Sequence, residues 1–181
     1  MAEDLSNAVT DSDAALVERI RMGERAAFDT LVRRHQAIVY RVCYRILGEP
    51  EDAADATQEA LLRAYRKLDT FRGQSAFKTW LMRLTVNVSL NERERRKATL
   101  PLDDARLATL PEHTVDLRQA EAVTQIHQAL QQVPPNHRAA VVLRDLEGFG
   151  YAEVAIALGV PEGTAKGWAH RGRSRLKDLL T

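Results

Sequence analysis

The segment YAEVAIALGVPEGTAKGWAHRGRSRL, residues 151 to 176, constrains this chain more than any other stretch. Tyr151, Val154, Ala155 and Leu158 share one face at helical spacing, which predicts a short amphipathic helix. Gly159 stands where a left-handed C-cap is needed, and Val160 is placed to plug the angle between two helices. Pro161 and Glu162 suit the opening turn of a second helix, through fixed φ and through the helix dipole respectively. At about 100° per residue the second helix sorts its side chains into faces. Ala165, Ala169, Gly172, Leu176 and Leu179 form a narrow inward stripe; Lys166, His170, Arg173 and Lys177 cluster on another face, with Gly167, Arg171 and Ser174 further round. Helix, Gly turn and basic helix make up the helix-turn-helix, whose second helix enters the DNA major groove.

The rest of the chain is helical by pattern as well. Glycine and proline number only 9 and 6 in 181 residues, and 45% of the residues are hydrophobic, enough for packed cores. Leu16, Val17 and Ile20 predict a helix over 13 to 21, with Ser12 or Asp11 as N-cap. Apolar residues from Phe28 to Leu47 recur at helical spacing over 25 to 47, and Gly48 and Pro50 end that helix. The next, over 52 to 68, buries Ala53, Ala56, Ala60, Leu61, Ala64, Tyr65 and Leu68. A loop, FRGQS at 71 to 75, leads into a helix over 76 to 97, apolar first (Phe77, Trp80, Leu81, Leu84, Val88) and NERERRK last. Pro101, Pro111 and an acidic bias mark 98 to 115 as a linker. Helices over 116 to 132 and 136 to 146 then flank a corner at Pro134-Pro135. The fold expected is all-α: an N-terminal unit over 1 to 97, the flexible linker, and a C-terminal unit over 116 to 181.

A net charge of +1 conceals an uneven distribution. Residues 49 to 59 hold five acids and no base, four of the five residues 93 to 97 are basic, and residues 166 to 177 hold five Lys and Arg and no acid. Such segregation suits several partners of different charge. One cysteine, Cys43, and five scattered histidines offer no metal-ligand spacing. No glycine-rich phosphate loop or GxSxG nucleophile occurs, so neither a cofactor nor catalysis is expected. The N-terminus MAEDLSNAVTDSD lacks the order of a secretory signal and no run approaches the ~18 apolar residues of a membrane span, so a cytoplasmic protein is expected.

The company the helix-turn-helix keeps narrows its meaning. LVERIRMGERAAFDTLVRRH (16 to 35) and DAADATQEALLRAYRKLDTFRGQSAFKTWLMRLTVNVSLNERERRK (52 to 97) strongly resemble the first conserved domain of bacterial sigma-70-family factors. The subgroup they resemble is the extracytoplasmic-function (ECF, group IV) type. LQQVPPNHRAAVVLRDLEGFGYAEVAIALGVPEGTAKGWAHRGRSRL (130 to 176) is similar to their second conserved domain. Only the linker and the first dozen residues lie outside the resemblance.

The resemblance implies a non-enzymatic factor that binds core RNA polymerase and directs it to promoters. It places Asp55, Gln58 and Glu59, at i, i+3 and i+4, on the clamp helices of the β′ subunit, and the C-terminal domain on the β flap. It gives the minus-ten element to Phe71 and Arg72 in the loop, to Asn87, and to Arg93, Arg95, Arg96 and Lys97 along the phosphates. It gives the minus-thirty-five element to Thr164, Lys166, Gly167, His170, Arg171, Arg173 and Lys177. An anti-sigma protein is the further partner implied. Two departures stand out: Asn91, where relatives often have Asp, and Trp168, where they usually have Arg. Trp168 is expected to fold over Ala169 and Gly172 and supply core volume. The rival reading, a helix-turn-helix regulator independent of core polymerase, leaves residues 52 to 97 without a role.

Overall fold

A computed structural model describes residues 11–99 and 117–181. The first unit comprises α1 (Asp13–Arg21), α2 (Arg25–Leu47), α3 (Pro50–Lys67) with a following 3-10 turn (Leu68–Thr70), and α4 (Phe77–Thr99). Ser12 caps α1, its Oγ accepting the Ala15 N–H at 3.2 Å. Gly48 stops α2 in the left-handed region at φ +94°, and Pro50 opens α3 where its missing N–H costs nothing. The buried face of α3 is made of Ala53, Ala56, Ala60 and Ala64, so α2 and α4 approach its backbone closely. Leu31, Val39, Val42, Cys43 and Ile46 of α2 pack there with Leu81, Met82 and Val86 of α4. Burying each of the larger side chains contributes about 1.5–3 kcal/mol. Thr85 and Ser89, polar and fully buried on α4, return their hydroxyls to the carbonyls of Leu81 and Thr85, both at 2.9 Å.

The second unit comprises α5 (Leu117–Gln131), α6 (Pro135–Val141), α7 (Tyr151–Leu158) and α8 (Glu162–Leu180). Gly159 does adopt the left-handed cap, at φ +66°, and Pro161 is the N-cap of α8. Ala165, Ala169 and Gly172 are buried, as the stripe requires. Gly172 permits the closest approach in the unit: a Cβ there would stand 2.5 Å from Val141 Cγ2 and 2.9 Å from the His137 carbonyl oxygen.

Three expectations shift. The helix expected over 136 to 146 is α-helical only to Val141 and then widens into a π-turn over Val142–Leu146, closed by the Glu147 N–H on the Val142 carbonyl at 3.0 Å. Helix α4 runs two residues past 97, to Thr99, and residues 100 to 115 of the expected linker lie outside the described residues. Tyr65, expected in the core, is 44% exposed and packs edge-on against Phe28 at 4.8 Å.

The two units meet along α2 and α4. Arg138 of α6 is fully buried and has no carboxylate partner among the described residues. It donates instead to the carbonyls of Ile46, Gln131 and Val133 and to Gln131 Oε1. Those carbonyls end α2 and α5, where the helix dipoles concentrate negative charge, so two helix C-termini stand in for an acid. Burial still weakens the guanidinium as a base, to a pKa of about 9. Nearby, Glu147, with its side chain 4% exposed, binds Arg41 at 2.9 Å and also Arg45. Thr79 Oγ1 of α4 donates to Glu153 Oε1 of α7 at 3.0 Å, and the other Glu153 oxygen takes the Gly150 N–H at 2.8 Å.

Candidate nucleic-acid and protein-docking surfaces

The first surface lies on α3. Its buried alanine face turns Asp55 and Gln58 fully outward and leaves Glu59 half exposed, tied to Arg63 at 2.6 Å one turn on. Beside Gln58 opens an apolar groove of about 510 Å³ between α2 and α3, lined by Phe28, Leu61, Leu62 and Tyr65. Leu62, at 50% exposure, and Tyr65, which periodicity had assigned to the core, stand outside the buried alanine face. An acidic rim beside exposed aliphatic and aromatic surface suits a protein partner and repels nucleic acid.

The second surface is the loop before α4. Residues Phe71, Arg72, Gln74 and Ser75 join Trp80, Arg83, Leu84 and Asn87 around a cleft of about 920 Å³. Across it stand Ile156, Gly159, Val160 and Pro161, the turn of the helix-turn-helix. Phe71, expected to offer its ring to a base, is 7% exposed. It lies edge-on to Phe77 at 5.7 Å and tilted to Trp80 at 5.3 Å, and so serves as part of the floor. The half-exposed aromatic in the cleft is Trp80, which periodicity had assigned to the core. Its spacing from Leu84 and Asn87, i, i+4 and i+7, was the available signal.

The basic run at the end of α4 divides. Arg93 turns into the seam between the units, 3.3 Å from both the Ile46 carbonyl and Gln131 Oε1, and burial lowers its pKa. Arg96 binds Asp52 of α3, and Arg95 binds Glu92 at 2.7 Å. Lys97 is exposed. None of this run lines the cleft that Arg72 and Asn87 share.

The third surface is the outer face of α8. Lys166, His170, Arg171, Arg173 and Lys177 are all exposed, and Thr164 and Gly167 half exposed, as their positions on the helix required. Their intramolecular partners are exposed or half exposed. Lys166 meets Glu162 at 2.8 Å, and Arg173 meets the Tyr151 hydroxyl at 2.7 Å and Asp145 at 3.5 Å. The Arg173 contact holds the Tyr151 phenol below its usual pKa. Trp168 turns from this face toward the core, with its ring 6.3 Å from that of His137. No described helix is long and apolar enough to cross a membrane.

Known proteins are similar to this chain over most of its length. Residues 31–99 match the family described as Sigma-70 region 2, and residues 124–176 match Sigma-70, region 4. The ECF RNA polymerase sigma factor SigM of Mycobacterium tuberculosis is 40% identical over 93% of this chain and 85% of its own length. The ECF RNA polymerase sigma factor SigW of Bacillus subtilis is 30% identical over 91% and 94%. Among solved structures, CnrH in complex with the cytosolic domain of CnrY superposes with a TM-score of 0.70 at 26% identity, over 94% of this chain and 97% of that one. The Bartonella quintana sigma factor RpoE, solved with the anti-sigma factor NepR, shares the fold at a TM-score of 0.69 and 23% identity, over 84% and 96%.

Proposed function

The chain belongs to the sigma-70 family, in its extracytoplasmic-function (ECF) branch, and on that premise we propose how its residues divide promoter recognition among themselves. Binding core RNA polymerase and directing promoter-specific initiation is the activity of such a factor. The unit over 1 to 97 serves core binding and the minus-ten element, 98 to 115 links, and 116 to 181 serves the minus-thirty-five element. Asp55, Gln58 and Glu59, with the groove of Leu61, Leu62 and Tyr65 beside them, dock on the β′ clamp helices. The domain ending in α8 meets the β flap.

The minus-ten strand is melted and held in the cleft before α4. Trp80 supplies a π-face there, Arg72 and Lys97 meet phosphate, and Asn87 offers a polar edge to a base. Phe71 contributes the floor, and Arg95 and Arg96 reach phosphate only by leaving their acidic partners. Thr164, Lys166, Gly167, His170, Arg171, Arg173 and Lys177 follow the minus-thirty-five duplex, phosphates giving affinity and the first turns of α8 giving sequence. The factor performs no chemistry, acts in the cytoplasm beside the polymerase, and is held by an anti-sigma protein, as the RpoE relative is by NepR.

The observation that carries this reading is the coexistence, in one chain, of a partly open aromatic cleft on α4 and a cationic outer face on α8. Run-off transcription tests it: the purified chain is added to core RNA polymerase and a pool of bacterial promoter fragments. Initiation at discrete sites that depends on the chain, and is lost in Asp55→Lys with Glu59→Lys, is expected. DNA binding that proceeds equally without core, with no initiation, contradicts it.

A further inference from the structure

We propose that α1 is a brace for the loop that receives the minus-ten base, and that Arg21 is its positioning residue. The proposal rests on the reading of the cleft as a base site. Helix α1 lies ahead of the segment matched to Sigma-70 region 2, which begins at residue 31, and no promoter role above falls on it. It is nonetheless anchored, with Leu16 and Val17 at 0% and 1% exposure.

Two lines of contact run from α1 to the cleft. At its C-terminal end Arg21 donates through Nη2 to the Phe71 carbonyl, fifty positions along the chain. Its Nη1 is held by Glu18 one turn back, so the planar fork is fixed in direction. At its N-terminal end Asp13 lies 2.8 Å from His35 Nε2. The His35 ring packs on Phe77 at 5.5 Å, and Phe77 meets Phe71 edge-on. The carbonyl and the ring of Phe71 are therefore both set from the same helix.

The loop has little else to shape it. Its own bonds are local: the Phe71 N–H closes the 3-10 turn on Leu68, and Ser75 bonds to the next residue's carbonyl. Gly73, at φ +70°, adds a hinge without a side chain. Among the described residues, Arg21 is the one side chain outside the loop that hydrogen-bonds to its backbone. Fixing the Phe71 carbonyl fixes the plane of the peptide whose N–H belongs to Arg72, and so the direction from which Arg72 projects. A flipped base costs a few kcal/mol to unstack, and that cost is recovered only when the receiving groups already stand in place.

The test uses holoenzyme assembled from core polymerase and the full chain. It is bound to a pool of short single strands of randomised sequence, and the bound strands are sequenced. Wild type enriches particular bases at particular positions. Arg21→Gln is expected to lower the enrichment at one captured position about tenfold, the scale of a charge-assisted hydrogen bond, and to leave the other positions and core binding intact. Arg21→Lys falls between, keeping charge without the fork, and Asp13→Asn weakens the same position by less. Unchanged enrichment in Arg21→Gln overturns the proposal. So does a loss spread evenly over all positions with a lower melting temperature, which marks a purely structural contact. Where Arg21→Gln fails to assemble, Arg21→Lys is judged by the same two criteria. If wild type enriches no base at any position, the base-site reading itself has failed and the brace falls with it.

Discussion

Two groups of cations in this protein have opposite fates. Arg93, Arg138 and Arg45 turn into the seam between the helical units, and Arg41 reaches it from an exposed position; carbonyls at helix ends and the buried Glu147 carboxylate answer them. Lys166, His170, Arg173 and Lys177 stand on the outer face of α8 in water. There Glu162, Asp145 and Tyr151 are partners that solvent and salt screen. The residue types are alike, and what lies opposite decides their work. A buried guanidinium such as that of Arg138, whose two Nη groups both meet carbonyl oxygens, holds the protein together. A screened pair worth less than about 1 kcal/mol is readily exchanged for a phosphate.

That contrast can be broken by substitution. Arg138→Ala should have the largest effect. It empties a buried site and strands the carbonyls of Ile46, Gln131 and Val133, a loss of about 3 kcal/mol that calorimetric unfolding would register. Gly172→Val attacks the inner face of α8 and leaves the outer face untouched. Its Cβ would need the space of Val141 Cγ2 and the His137 carbonyl, so about 1–3 kcal/mol of stability should go. Trp168→Arg sharpens the boundary between the faces. Since Trp168 packs on the core, about 1 kcal/mol should be lost in the melting curve. Unchanged stability with an altered promoter preference would instead put Trp168 on the reading face.

How much of this was legible in the residues depends on distance along the chain. The helices were legible because Leu, Val and Ala recur at 3.6-residue spacing, and Gly48 and Gly159 mark ends whose left-handed caps the structure shows. The outer face of α8 was legible for the same reason: every residue proposed for the minus-thirty-five element lies on one helix. The π-turn after Val141 was not, because its residues keep the same apolar character as the helix before it. The fate of Arg93 and Arg96 was hidden, since their partners lie 38 to 47 positions away, and Arg138 reaches Ile46 across 92. A run such as RERRK records charge and says nothing of what the fold will set against it. Trp80 and Phe71 exchanged roles for a related reason: Trp80 fits an apolar stripe and Phe71 stands in a loop, and only the packing of that loop decides which ring faces the cleft.

The contrast is measured most directly by the salt dependence of holoenzyme binding to a promoter duplex. The slope of log affinity against log salt counts the phosphates that the protein neutralises. Replacing Lys166 and Lys177 by Ala should make that slope shallower by about 2, whereas replacing Arg41 and Arg45, committed to Glu147, should leave it unchanged. An equal change from both pairs, or none from the lysines, would contradict the division between seam and reading face.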